Sequence, residues 1–143
     1  MIDPEVIEVR LDKIQENLVL LRKIDEIPLS EFVSNSLTHS AAERAVQVSI
    51  QAVIDICSYL VSEMQNKMPA SQRDLPEILR KAGVFPKELA NKLSGMIGVR
   101  NVLVHQYLDV DLNRVHSIIQ NNLGDFDEFA KYVVEYLEKE GIA

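Results

Sequence analysis

The sequence predicts an all-α protein, a bundle of helices joined by short connections. Three observations point there. Apolar residues recur at spacings of three and four along long segments, as one buried helix face requires. No stretch alternates apolar and polar residues in the way a half-buried strand does. Proline, aspartate and glycine fall chiefly between the periodic segments, where they start and stop helices. The 143 residues are 47% apolar and 26% charged, the balance of one folded domain spanning 1–143.

The first helix opens at Asp3, a capping residue, with Pro4 at the first helical position, where no backbone N–H is needed. Ile7, Leu11, Ile14, Leu18 and Leu21 form its apolar seam, and Pro28 marks its end. A short helical turn fits LSEFVS. The second long helix is expected to start between Thr38 and Ala41 and to run to about Asn66. Ala42, Val46, Val53, Ile56, Leu60 and Met64 make its core stripe, while Gln47, Gln51 and Asp55, four apart, make a polar one that faces solvent or walls a site. KMPASQRDLP reads as a loop, and PEILRKAG as a short helix opened by Pro76 and ended by Gly83. Pro86 opens PKELANKLSGMIGVRNVLVH, with Leu89, Leu93, Met96 and Ile97 inward. Gly95 and Gly98 each cost a helix interior about 1 kcal/mol relative to alanine, so close packing is expected there. Asp109 or Asp111 caps a helix through Leu123, Gly124 breaks it, and Asp125 starts the last helix, with Phe129, Val133 and Leu137 on one side. The result is a four-helix-bundle core with extra short helices.

The net charge of −7 argues against a general nucleic-acid coat protein. The charge is uneven: residues 73–105 carry +3 and the rest of the chain −10. A local positive field in an acidic chain suits a small anionic region of a substrate. Cys57 is the only cysteine, so no intrachain disulfide forms, and its apolar neighbours predict burial. The start, MIDPEVIEVR, lacks the pattern of a signal peptide. No run of about 18 apolar residues was found, so a cytoplasmic protein without membrane association is expected. His39 and His116 have no partner at metal-ligand spacing and read as structural or exposed. No cofactor is called for.

One stretch carries chemistry. RNVLVHQY, residues 100–107, places a guanidinium, an imidazole and a phenol together. On a continuous helix Arg100 and His105 stand about 140° apart, while Asn101 and His105 share a face. The two converge if the helix ends near His105 or if the arginine reaches around. An imidazole exchanges protons near neutral pH. A guanidinium holds a phosphate through two N–H groups and stabilises charge building on it. Together they suit phosphodiester cleavage without a metal, with the ribose 2′-hydroxyl as nucleophile.

Arg100 and Asn101, followed by His105-x-Tyr107, sit at the end of a late helix in an all-α chain of this length. In this the sequence resembles the HEPN domain of the HepT family, and ERAVQVSIQAVIDIC resembles that family's second long helix. HepT proteins are the toxin halves of toxin–antitoxin pairs. The resemblance covers essentially the whole chain. It implies a homodimer with the motif in a shared cleft and a metal-independent endoribonuclease that cleaves RNA. Arg100 would then bind phosphate, His105 act as acid and base, and Asn101 orient His105 or the substrate. It also implies a partner, a nucleotidyltransferase antitoxin of the MNT type that transfers AMP to Tyr107. The adduct would block RNA by occupancy and repulsion. The apolar seam of the first helix and the two glycines are taken as further surface for a second copy. Two other readings stand beside this one: a non-catalytic helical partner that helps a nucleotidyltransferase bind substrate, and a plain helical dimerisation domain.

Overall fold

Capping residues and apolar periodicity define helices that the tertiary structure then closes into a ring. The structure is a computed structural model and describes residues 1–64, 66–105 and 110–142. Seven α-helices are present among the described residues: α1 (Pro4–Ile24), α2 (Leu29–Ser34), α3 (Ser36–Glu63), α4 (Leu75–Lys81), α5 (Lys87–His105), α6 (Leu112–Asn121) and α7 (Leu123–Lys139). A 3₁₀ turn, Gln72–Asp74, precedes α4 inside the segment expected to be loop.

The expected caps of α1 and α6 are in place. The Glu5 N–H donates to Asp3 Oδ1 at 3.0 Å, and Asp111 accepts from the N–H groups of Asn113 and Arg114. Asp109, the other candidate cap for α6, lies outside the described residues. Gly83, at φ 86°, turns the chain after α4, in the left-handed region that glycine reaches without a Cβ penalty.

Two boundaries differ from expectation. α3 starts at Ser36, earlier than Thr38–Ala41, because Asn35 caps it: its side chain accepts from the Thr38 N–H at 3.1 Å. α6 ends at Asn121 and α7 begins at Leu123, so Asn122 marks the break, while Gly124 and Asp125 lie inside the first turn of α7. Asn122 Nδ2 donates to Asp125 Oδ2 at 3.0 Å, and Lys92 Nζ of α5 stands 3.8 Å from Asp125 Oδ1. Asp125 therefore ties α7 to α5 instead of starting a helix.

The four long helices form a closed circuit: α1 packs on α3, α3 on α5, α5 on α7 and α7 on α1. Each buries one stripe into the shared core, including Ile7, Ile14 and Leu18 of α1, Val46, Val53 and Ile56 of α3, Leu93 and Ile97 of α5, and Phe126, Phe129 and Val133 of α7. This is the expected four-helix core, with α2, α4 and α6 as the short additions. Met64, expected in the core stripe of α3, is its C-cap and only partly buried. Cys57 is buried, as expected, and burial pushes its thiol well above the usual range. His116 stacks against Phe32 at 5.1 Å and bonds the Ile27 carbonyl through Nε2 at 3.0 Å, while His39 meets the same phenyl ring edge-on at 6.3 Å. Both histidines help seat α2.

α3 is long and apolar enough to cross a membrane, contrary to the expectation that no segment is; 61% of its most apolar stretch is buried inside the fold. Its apolar side chains are taken up by the core. Of the surface expected to be left for a second copy, the α1 seam and Gly98 are covered within one chain, while Gly95 stays open. The seam is buried against the chain's own core, Gly98 lies under the Arg73 side chain, and Gly95 meets nothing within 4 Å.

Candidate active site

α5 carries the motif, and its periodicity sorts the motif residues onto two sides. Leu89, Leu93, Met96, Ile97 and Leu103 form the buried stripe. Arg100 falls in the same stripe, three residues after Ile97 and three before Leu103. Ser94, Gly98, Asn101 and His105, at spacings of four, three and four, lie along another side. α5 remains helical up to His105, so its position and that of Arg100 stay about 140° apart. Asn101 is half-buried. Tyr107 lies outside the described residues, as does the side chain of His105.

Arg100 leaves the buried stripe at the floor of a groove of about 710 Å³ between α1 and α3. The polar stripe of α3 forms one wall of that groove. Gln51 Nε2 donates to Asp55 Oδ1 at 2.8 Å, and Gln47 lies one turn earlier. Across from it, Arg10 Nε stands 4.0 Å from Asp55 Oδ2, and Arg10 Nη1 donates to the Val6 carbonyl at 3.0 Å. Arg44 also lines the groove and has no ion-pair partner among the described residues. Among the described residues, four cations and three carboxylates meet here. The four-residue spacing of Gln47, Gln51 and Asp55 had left open whether they faced solvent or a site. Arg10 and Arg44 gave no sequence signal, because only the packing of α1 on α3 brings them beside Arg100.

Two buried side-chain nitrogens lack a hydrogen-bond partner among the described residues, His39 Nδ1 beside Phe32 and one in the groove. Arg100 Nε is shielded from water and has no hydrogen-bond partner among the described residues. Leaving a buried donor unpaired is unfavourable by about 1–3 kcal/mol, more for a charged group. The guanidinium as a whole lines the groove, where its charge would meet an entering anion.

The basic segment is partly self-neutralised. Arg80 is bound by Glu77 through paired contacts of 2.6–3.0 Å, which holds the Glu77 carboxyl below its usual range and raises the arginine. Lys92 stands between Glu88 and Asp125. Arg73, Lys81, Lys87 and Arg100 have no ion-pair partner among the described residues. No three His, Cys, Asp or Glu side chains converge among the described residues as metal ligands would.

Comparison with known proteins adds a family. The family described as ribonuclease HepT-like matches residues 14–133. A tRNA nuclease HepT from Aphanizomenon flos-aquae is 31% identical over 136 residues, covering 95% of this chain and 92% of that protein. An mRNA nuclease HepT from Shewanella oneidensis is 29% identical over 100 residues, 70% of this chain and 75% of that protein. Among solved structures, the tri-AMPylated HEPN toxin of Shewanella oneidensis in complex with MNT antitoxin is similar at a TM-score of 0.81 and 24% identity, covering 94% of this chain and 99% of that one. At that identity the likeness speaks for the fold.

Proposed function

The chain belongs to the HepT-like ribonuclease family, and from that premise we propose that it is the toxin of a toxin–antitoxin pair, an endoribonuclease that needs no metal. Residues 1–143 act as one helical unit in the cytoplasm. The observation that carries this reading is Arg100, a guanidinium with a shielded, unbonded Nε at the floor of a groove. It receives a phosphate of the RNA chain and stabilises the charge that builds on it. His105 exchanges protons: an imidazole takes the proton of the 2′-hydroxyl as that oxygen attacks phosphorus, and an imidazolium gives one to the departing 5′-oxygen. Asn101, which shares the His105 side of α5, orients the imidazole or the substrate.

Two copies suit these roles. A two-fold homodimer sets two motifs across one cleft, so that one chain's imidazole serves as base and the other's as acid. The partner is an MNT-type nucleotidyltransferase that places AMP on Tyr107, where the added phosphodiester opposes incoming RNA. The solved Shewanella oneidensis toxin, AMPylated and in complex with its MNT antitoxin, supports this assignment.

The test is RNA cleavage by purified protein, with circular dichroism as the folding control. His105→Ala is expected to lose ~10² to 10⁴ in rate with its helical content intact. Wild-type activity is expected to survive EDTA. Full cleavage by the variant, or arrest by the chelator, would overturn the mechanism.

A further inference from the structure

Arg73 lies in the 3₁₀ turn ahead of α4, yet it is held against α5 by two separate contacts. Its carbonyl accepts a hydrogen bond from Ser94 Oγ. Its side chain lies over Gly98: a Cβ on that glycine would stand 3.0 Å from Arg73 Cζ and Nε and 3.3 Å from Nη1. Glycine is unfavourable inside a helix. Here it leaves room for the guanidinium, which any side chain at 98 would push aside.

The placement has a direction. Ser94 and Gly98 belong to the same side of α5 as Asn101 and His105. Gly98 and His105 are two turns apart, about 10 Å along the axis. Arg73 therefore stands at one end of a strip whose other end is the motif. Ser94, Gly98 and Asn101 are half-buried along it, and Val102 beside it is 45% exposed. Arg73 itself is exposed and has no ion-pair partner among the described residues, unlike Arg80 and Lys92 in the same basic segment. Outside that segment the chain carries −10 in total, so an unpaired cation near the motif is a favoured contact for an RNA phosphate.

We propose that Arg73 is an RNA-binding residue that holds a phosphate neighbouring the scissile one, guiding the strand along the Ser94–Gly98–Asn101 side of α5 toward His105. The proposal rests on the nuclease reading above. Arg100 and His105 act at the bond that breaks; Arg73 acts further along the chain, so it contributes to binding and not to the chemical step.

Cleavage of a single-stranded RNA oligonucleotide by wild type, Arg73→Gln and Arg73→Lys, over a series of salt concentrations, tests it. The Ser94 bond is to the backbone of residue 73, so all three chains keep it. Arg73→Gln is expected to raise KM about tenfold, the loss of one charge-assisted phosphate contact, with kcat retained. Its salt dependence of apparent affinity is expected to fall by about 0.7 in log–log slope, the value of one phosphate on a single strand. Arg73→Lys is expected to recover that slope, because it keeps the charge. Wild-type KM and slope in Arg73→Gln, a fall in kcat alone, or equal losses in the glutamine and lysine variants would overturn the assignment while leaving the nuclease standing. Absence of cleavage by wild type would overturn the nuclease reading, and this proposal with it.

Discussion

Alanine at Gly95 and at Gly98 provides a matched pair of perturbations on one helix. Both glycines lie inside α5, and neither has a positive φ, so alanine fits the backbone at each. Replacing glycine by alanine inside a helix is worth about 0.8–1 kcal/mol. At Gly95 the new methyl meets nothing within 4 Å, so the full gain is expected. At 143 residues that corresponds to roughly 2–4 °C in Tm. At Gly98 the methyl meets Arg73 Cζ and Nε at 3.0 Å. The end of a flexible side chain can swing away, but it gives up its contact with α5. Gly98→Ala is therefore expected to gain less than Gly95→Ala, by about 0.5 kcal/mol, the scale of coupling between touching residues. In an Arg73→Ala background the two alanines are expected to become equal. Urea unfolding of the four glycine variants and their parents measures this directly. Equal gains at 95 and 98 with Arg73 present would refute the placement of Arg73 over Gly98. A loss of stability at Gly95 would show that this face of α5 is covered.

Further expectations follow from the site and the core. Arg100→Lys keeps the charge but not the planar pair of N–H donors, so it is expected to lose most RNA cleavage while its Tm holds; full activity would remove the two-point phosphate contact. Light scattering at micromolar concentration is expected to find a homodimer, and a species of 16.2 kDa alone would remove the shared cleft. Co-expression with the nucleotidyltransferase is expected to add the mass of AMP to a peptide containing Tyr107, and Tyr107→Phe to stay toxic beside that partner; normal neutralisation of the phenylalanine variant would sink the modification model. Burial raises the Cys57 thiol, so it stays protonated and shielded through mildly alkaline pH and is expected to react with alkylating reagents only on unfolding. Stoichiometric labelling of the native protein would contradict that burial.

Local signals read well from the sequence because they act within a turn of helix. The spacing of Ile7, Leu11, Ile14, Leu18 and Leu21 identified the buried side of α1, and Asp3 identified its start. The same periodicity marked Phe129, Val133 and Leu137 as the inner side of α7. The family resemblance was legible for the same reason: Arg100-Asn101 with His105 and Tyr107, the residues that carried it, form a pattern of residue types at short spacing. Helix boundaries were harder where two signals competed. Asn35 captured the start of α3 from Thr38, and Asn122 took the break assigned to Gly124.

What the sequence could not show is whatever depends on distant residues. Both glycines of α5 looked like packing sites, and only the fold separates them: Arg73, folded back from an earlier turn, covers Gly98, while Gly95 faces open space. The α1 seam looked like surface for a second copy until α3 and α7 were seen to cover it. The groove around Arg100 needs α1, α3 and α5 together. Periodicity states which side of a helix avoids water; it does not state which other helix, or which single arginine, will cover that side. That choice is made by the mutual fit of side chains far apart in sequence, and it exists only once the bundle has closed.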